Sequence, residues 1–192
     1  MTVPTRLIAL LDASVLVPAS SRDTLLRLAF TGVFIPRWSE TILDELRRLL
    51  VNNGLTDAVR AAHLLETMEN RFSDARISNF EHLIPSMTNH PGDRHVLVAA
   101  VATGASVIVT NNIRHFRLAD LAPHAITAQT TDRFLTDRLA EQPETVLRLL
   151  RLQASVLRSP PMTVQEVLAR LRIHTPTFVE RVSALIASDE QP

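Results

Sequence analysis

Short apolar runs that end at polar residues indicate strands in the first two thirds of the chain. Continuous runs of this kind are typical of strands that are buried on both faces of a parallel sheet. The first run is followed by Asp12, and the last, which is β-branched, is followed by Asn111 and Asn112. The runs occupy residues 7–11, 33–35 and 106–110, and Pro36 closes the second.

Apolar residues recur with helical spacing between these runs. Ser39 is a candidate N-cap, and Gly32, Gly54 and Gly104 each follow a predicted helix, where glycine is common. The helices predicted in this region cover residues 23–30, 39–51, 56–72 and 93–103. Strands that alternate with helices in this way favour a right-handed α/β unit.

After about residue 131 only helical patterns remain. Thr163 and Glu166 have the spacing of a capping box, and the pair Pro160-Pro161 separates two helices. The helices predicted here cover residues 131–139, 144–157, a segment that begins after Thr163, and 178–186. We therefore predict an α/β domain in residues 1–134 and a helical C-terminal extension in residues 135–192.

The composition excludes several classes of protein. Of the 192 residues, 46% are apolar, which is enough for a hydrophobic core, and none is cysteine. Disulfide frameworks, zinc–thiolate sites and thiol nucleophiles are therefore excluded, and we expect a reducing, cytoplasmic setting. No apolar run approaches the roughly 20 residues that span a bilayer, and no signal peptide is expected, so we expect no membrane partner. The 20 basic residues, all arginine, balance 20 acidic ones, so any nucleic-acid contact must be local.

Two acids lie where the predicted fold would place functional groups. Ligands of open α/β sheets bind beyond the carboxyl ends of the strands, and Asp12 and the pair Asn111-Asn112 follow two predicted strands. Asp93 begins a predicted helix and shares a face with the apolar residues three, four, seven and eight positions later. Both aspartates also have a simpler interpretation as helix caps, which is compatible with metal binding.

On the helix predicted for residues 39–51, Glu45 is the acid nearest to the apolar face. It falls about 100° from the centre of that face, against about 160° for Asp44 and about 120° for Glu40. A solvated helix acid is the simpler interpretation, and Asp44 and Glu40 remain alternatives. Carboxylates that share a cleft repel one another, so Asp12, Glu45 and Asp93 would persist together mainly around a hard cation such as Mg²⁺ or Mn²⁺. Such a centre can hydrolyse a phosphodiester.

Four segments in a fixed order carry a family resemblance. They are DASVL from Asp12, SETILDEL from Ser39, DRHVLVAA from Asp93 and VTNNIRHF from Val109. Together, over residues 6–134, they resemble the PIN-domain nucleases, and within them the VapC-type ribonuclease toxins of bacterial toxin–antitoxin pairs. The helices after residue 135 resemble the C-terminal extension of one VapC branch.

This resemblance implies an α/β/α sandwich with a central parallel sheet and an acidic metal pocket at the strand ends. It identifies Asp12, Glu45 and Asp93 as the metal-binding catalytic acids. Many relatives have Thr-x-Asp where this chain has Thr110-Asn111-Asn112, so the fourth catalytic position carries the neutral Asn112. Thr110 would hydrogen-bond water or an acid, and Asn111 belongs to the same motif.

The resemblance also implies a substrate and partners. The expected reaction is hydrolysis of RNA with Mg²⁺ or Mn²⁺, and the expected partners are a cognate antitoxin protein and a second copy in a homodimer. His115 stands where relatives often have another acid and is a candidate phosphate contact or an ordinary surface histidine. Arg22, Arg94 and Arg114 lie near the motifs and could bind RNA phosphates, or could be ordinary surface residues.

Two alternatives remain open. One is a PIN-like scaffold whose weakened metal site binds RNA or protein without cleavage, and the other is a nuclease that acts on DNA. Other classes lack their motifs: no HExxH favours a zinc hydrolase, and no glycine-rich loop favours dinucleotide or P-loop chemistry. A haloacid-dehalogenase-like phosphatase needs a second aspartate where this chain has Ser14.

Overall fold

The computed structural model of the chain describes residues 6–156 and 162–189. By their contacts, these residues form two compact units. The first contains the chain up to Val17 together with Phe34–Gln129, and the second contains Pro18–Val33 together with the chain from Thr130. The domain division that the sequence places between residues 134 and 135 stays a prediction.

A five-stranded parallel sheet forms the centre of the first unit, in the order β3-β2-β1-β4-β5. The strands are β1 Ile8–Leu11, β2 Ile35–Ser39, β3 Arg76–Ile77, β4 Val107–Val109 and β5 Thr127–Gln129. In the central strand, Ala9 pairs with Pro36 of β2 and with Val107 of β4. Ala9, Leu10 and Leu11 are fully buried, as the continuous apolar run indicates. The predicted parallel α/β architecture is confirmed.

Strand β2 extends beyond the position where the sequence analysis closes it. The predicted run ends at Pro36, but the strand starts at Ile35 and continues to Ser39. Ile35 donates its backbone N–H to Leu7, on the β1 side, over 2.8 Å, so position 36 faces the β3 side. Pairing with β3 begins only at Trp38, so the missing N–H of Pro36 removes no bond from the sheet. The prediction that Pro36 closes the strand is wrong.

The helices begin and end close to the predicted positions. In the described residues they are α1 Ala13–Leu16, α2 Ala19–Phe30, α3 Glu40–Asn52, α4 Ala58–Arg71, α5 Arg94–Thr103, α6 Leu118–Leu121, α7 Thr131–Glu141, α8 Pro143–Val156, α9 Val164–Leu171 and α10 Pro176–Asp189. Ser39 caps α3 as predicted, because its Oγ accepts from the N–H of Ile42 over 3.2 Å. Gly104 ends α5 with φ +65°, a conformation that glycine adopts without strain. Leu157 and the Pro160-Pro161 pair lie outside the described residues.

The second unit consists of α2 and the four helices α7 to α10. The buried hydroxyl of Thr24, in α2, donates to Oε1 of Gln153, in α8, over 3.2 Å. Gln153 in turn donates from Nε2 to Oδ2 of Asp23 over 2.9 Å. The capping box at Thr163 and Glu166 is present, which confirms that prediction. The predicted helical C-terminal part is confirmed, and no helix among the described residues is long and apolar enough to cross a membrane.

Candidate active site

Asp12 lies directly after β1, at the carboxyl end of the central strand. Its backbone N–H donates to the carbonyl of Val109 over 3.0 Å, so the neighbouring strand fixes its position. The side chain is only 3% exposed, and its Oδ2 accepts from Ser14 Oγ at 2.6 Å and from Thr110 Oγ1 at 2.7 Å. Asp12 makes no side-chain hydrogen bond to the N-terminus of α1. The carboxylate is therefore held in place without acting as a helix cap.

The segment after β4 supports this carboxylate. Thr110 is fully buried, and its hydroxyl also accepts from the backbone N–H of Asn112 over 3.0 Å. Asn111 donates from its backbone N–H to Ser14 Oγ, and from Nδ2 to the Ser14 carbonyl, each over 3.0 Å. Thr110, Asn111 and Ser14 thus form a network that fixes both the loop and Asp12.

Two histidines lie against Asp93 at the start of α5, and Nδ1 of His90 also accepts from the backbone N–H of Gly92 over 3.3 Å. Oδ2 of Asp93 lies 2.9 Å from Nδ1 of His115 and 3.1 Å from Nδ1 of His90. The two imidazole rings are stacked, with centroids 4.1 Å apart and planes 13° apart. Arg114 donates from Nε to Nε2 of His115 over 3.2 Å, so His115 must carry its proton on Nδ1 and donate it to Asp93. Asp93 occupies the N-cap position of α5 but makes no side-chain cap hydrogen bond.

Glu45 is the acid of α3 that reaches the site. Its Oε2 lies 3.5 Å from Nε2 of His95, whose side chain is largely buried. The two alternatives point to other partners: Glu40 pairs with Arg76 at 2.8 Å, and Asp44 pairs with Arg47 at 2.9 Å. The position of Glu45 near the apolar face of α3 explains why it, and neither neighbour, reaches the cleft.

Asp12, Glu45 and Asp93 line one open cleft of about 400 Å³ in the first unit, together with Asn112. The other residues that line it are Ala13, Ser14, Arg48, Leu49 and Asn52. The last three come from α3, and the sequence analysis missed them. These three residues could have been predicted, because residues three, four and seven positions after Glu45 share its face of the helix.

Burial and the other acids of the cleft perturb Asp12. Burial raises the pKa of Asp12 above its usual range; the hydrogen bonds from Ser14 and Thr110 lower it, and the charges of Asp93 and Glu45 raise it further. Burial alone would lower the pKa of His95, but its contact with Glu45 and the negative charges of the cleft raise it instead. The cleft therefore has a negative potential that favours a cation.

The donor set fits a hard divalent cation. Both hydrogen bonds to Asp12 end on Oδ2, and both histidines approach Oδ2 of Asp93. No described residue hydrogen-bonds Oδ1 of either aspartate, so these oxygens are available to a ligand. Carboxylate and amide oxygens are the donors that Mg²⁺ and Mn²⁺ prefer.

Among the described residues, the group whose potential ligand atoms all lie within 4.8 Å of one another is Asp93 with His90 and His115, and Asp12, Glu45 and Asp93 do not form such a group. A metal bound by imidazole lies in the plane of the ring. Two stacked, nearly parallel rings cannot both meet this condition for one ion. In this arrangement His115 is better placed to hold Asp93 than to bind a metal itself.

Of the three arginines predicted to contact RNA, Arg22 lies in α2 of the second unit, and the other two have partners near the site. Arg94 donates from Nε to the carbonyl of Asn89 over 3.3 Å, and Arg114 donates to His115. Neither is among the residues that line the cleft. Their role as phosphate contacts stays a prediction.

Known protein families match both parts of the chain. A family described as PIN domain matches residues 9–114, which is more than half of the chain. The chain belongs to the PIN-domain family. A second family, described as VapC50 C-terminal domain, matches residues 131–184, so this PIN protein is of the VapC type and carries the C-terminal extension. These matches confirm the family resemblance and the PIN-like fold.

A curated relative supports the same assignment. The PIN protein is 35% identical over 119 residues to a Mycobacterium tuberculosis protein named "Putative ribonuclease VapC50". The match covers 62% of this chain and 70% of the relative. No solved structure gives a significant match.

Proposed function

We propose that this PIN-domain protein is a divalent-metal-dependent ribonuclease that hydrolyses phosphodiester bonds of RNA. The observation that carries the proposal is the convergence of Asp12, Glu45 and Asp93 on one cleft. The name of the Mycobacterium tuberculosis relative supports RNA as the substrate.

Asp12, Glu45 and Asp93 would hold Mg²⁺ or Mn²⁺, with Asn112 as a neutral fourth ligand. A cation bound there supplies a Lewis acid that activates water and stabilises the charge on the attacking and leaving oxygens. The surrounding residues orient the acids before the reaction. Ser14 and Thr110 fix Oδ2 of Asp12, and Oδ1 would be the oxygen that binds the cation.

His115 orients the carboxylate of Asp93, as Ser14 and Thr110 orient the carboxylate of Asp12. Both of its ring nitrogens are engaged, Nδ1 by Asp93 and Nε2 by Arg114. We therefore assign His115 as a positioning residue instead of a phosphate contact. Because Asn112 adds no charge to the donor set, the three acids must provide all of the negative charge that binds the cation.

We further propose that the protein is the toxin of a VapBC-type pair in the cytoplasm, inhibited by a cognate antitoxin protein, and that it forms a homodimer. Membership of the VapC type supports this partner. Expression of the protein alone should arrest bacterial growth, and co-expression with its antitoxin should restore it. Growth arrest by the Asp12→Asn variant as well would show that toxicity does not depend on cleavage.

The second candidate function is a PIN-like scaffold that binds RNA or protein without cutting. The neutral Asn112 favours it, because a fourth charged ligand is missing from the motif. Turnover by the parent separates the two functions. A parent that cleaves RNA, and whose activity Asn112→Asp increases or preserves, fits the ribonuclease. A parent that binds Mn²⁺ and RNA without turnover fits the scaffold.

An RNA cleavage assay tests the proposal directly. Labelled single-stranded RNA, and DNA of the same sequence, are incubated with Mn²⁺ or with EDTA. The parent should cut RNA only with Mn²⁺, and Asp12→Asn, Glu45→Gln and Asp93→Asn should each reduce cleavage by about 100-fold or more, as loss of a charged metal ligand implies. Asp44→Asn is the matched control, because Asp44 adjoins Glu45 but pairs outside the cleft. Normal cleavage by all three site variants would reject the assignment.

A further inference from the structure

One wall of the cleft is not explained by metal binding. Helix α3 contributes Arg48, Leu49 and Asn52 to the lining in addition to Glu45. These residues continue from Glu45 along one face of the helix. At 1.5 Å per residue, Asn52 lies about 10.5 Å further along the helix axis than Glu45. A ligand that contacts both ends of this wall must therefore be an extended molecule.

Arg48 is a cation at the edge of the acidic cleft without a carboxylate partner. Its contact to the Asp44 carbonyl, from Nε, is 3.4 Å long, and it forms no ion pair with any described residue. The adjacent Arg47 does pair with Asp44, at 2.9 Å. The guanidinium of Arg48 therefore has N–H donors available for an anion, and their fork geometry fits a phosphate group as well as a carboxylate.

The other two residues of the wall offer contacts of a different kind. Leu49 is 38% exposed and provides an apolar surface. Asn52 is exposed and carries an amide that can both donate and accept hydrogen bonds. An apolar surface suits the face of a nucleobase, and an amide suits its edge.

We propose that Arg48, Leu49 and Asn52 form a subsite for the nucleotide next to the scissile phosphate of single-stranded RNA. Arg48 binds the flanking phosphate, Leu49 packs against the base, and Asn52 hydrogen-bonds the base edge. Single-stranded RNA is required because a base can reach this wall only when it is unpaired and unstacked. The inference rests on the proposed ribonuclease function and adds to it the part of the cleft that selects the cut site.

The phosphate contact is tested with Arg48→Gln, and Arg47→Gln on the same helix is the matched control. Fluorescence anisotropy measures binding of a labelled single-stranded RNA to the full chain in EDTA, over a series of salt concentrations. Arg48→Gln should weaken binding and should lower the slope of log K against log salt by about 0.7, the value for one phosphate contact on a single strand. In cleavage with Mn²⁺, the same variant should raise KM and leave kcat near the parent value. Arg47→Gln should change neither.

The base contact is tested with Asn52→Ala against Asn53→Ala, an adjacent exposed residue outside the cleft. Four RNAs that differ only in the nucleotide beside the cut site are compared by kcat/KM. Asn52→Ala should reduce the ratio between the best and worst RNA about tenfold, since one base contact accounts for roughly that much discrimination. Asn53→Ala should keep the ratio of the parent.

The outcomes separate the subsite from the proposed function. If the parent neither binds nor cuts RNA, the ribonuclease proposal fails and the subsite fails with it. If the parent cuts RNA, and Arg48→Gln and Asn52→Ala match their controls, only the subsite is overturned. If Arg48→Gln loses inhibition by the antitoxin but keeps the RNA affinity of the parent, the wall binds protein and the subsite is again overturned. All four variants change exposed residues, and unchanged melting temperatures will verify that they fold.

Discussion

The buried carboxyl of Asp12 makes the stability of the folded protein depend on pH. Its carboxyl is buried beside two other acids, and its pKa is raised above the usual 3.8. The folded chain thus binds this proton more tightly than the unfolded chain. The resulting stabilisation is fully present below pH 3.8 and is lost as the pH rises through the raised pKa. Without metal, Asp12 therefore contributes less to stability at neutral pH than it does in acid.

Asp12→Asn should therefore stabilise the metal-free protein at neutral pH. Asparagine keeps an oxygen that can accept from Ser14 and Thr110 but carries no charge. Urea unfolding in EDTA should show a gain in the free energy of unfolding at pH 7 that shrinks as the pH falls toward 3.8. Addition of Mn²⁺ should stabilise the parent and leave the variant unchanged. A difference between the two proteins that does not vary with pH would contradict this account.

His115→Ala should weaken metal binding without removing a ligand. The substitution deletes the Nδ1–H bond to Asp93, so that the carboxylate can rotate. Loss of such a supporting bond typically lowers metal affinity about 10- to 100-fold. The Mn²⁺ concentration for half-maximal cleavage should rise by that factor, while cleavage at saturating Mn²⁺ recovers. His63→Ala, at an exposed position of α4, is the control, and equal effects of the two substitutions would refute the positioning role.

At the scale of elements, segments with a strong apolar pattern could be predicted and segments without one could not. The runs that became β1 and β4, and the helices with apolar faces, follow from local sequence. Strands β3 and β5, with two and three residues, carry little strand signal and form because neighbouring strands offer backbone partners. The grouping of Pro18–Val33 with the C-terminal helices was likewise not predictable, since it depends on packing between distant segments.

In the candidate site, too, some features could be predicted from the sequence and others could not. Asp12 and Asp93 were predictable because strand ends and helix starts mark them, and Glu45 because of its angle to the apolar face. The contact between His115 and Asp93 was not predictable, because these residues are 22 positions apart and meet only through the tertiary fold. Periodicity locates a side chain on its own element, but it does not identify the neighbour that an element meets.

In the second unit, the side chain of Asp132, in α7, caps the N-terminus of α10. Oδ1 of this α7 residue accepts from the N–H of Phe178 at 2.8 Å, and Oδ2 accepts from Thr177 at 3.2 Å, at the free N-terminus of α10. Asp132→Ala should lower the free energy of unfolding by about 1 to 2 kcal/mol. Asp137→Ala, which removes an exposed ion pair with Arg133, should cost less than about 1 kcal/mol.

Far-ultraviolet circular dichroism during urea unfolding will measure both variants. It reports on all helices, whereas Trp38 fluorescence reports on the first unit. If the two units unfold separately, the Asp132→Ala effect should appear in the dichroism signal and not in the fluorescence. Equal destabilisation by Asp137→Ala would show that the cap has no special role.

For the whole molecule, the path of the chain links the C-terminal helices to the site. After Asp12 the chain enters the second unit at Pro18, and it returns to the first unit at Phe34, before Glu45. Two of the three acids are thus joined by a segment whose α2 packs on α8 and α9. In this respect the extension packs on the segment that joins two of the candidate acids along the chain.

A chain that ends at Gln129 should consequently lose activity although it keeps all three acids. Without α8 and α9, Thr24 loses its bond to Gln153, and α2, in which Leu25 and Leu28 are fully buried, loses two helices that pack on it. We expect aggregation in size-exclusion chromatography and RNA cleavage reduced at least tenfold, because such an exposed face promotes association. Leu25→Glu with Leu28→Glu in the shortened chain should restore solubility but not cleavage, which separates aggregation from loss of this packing. A shortened chain that remains monomeric and cuts like the parent would show that the acids are positioned by the first unit alone.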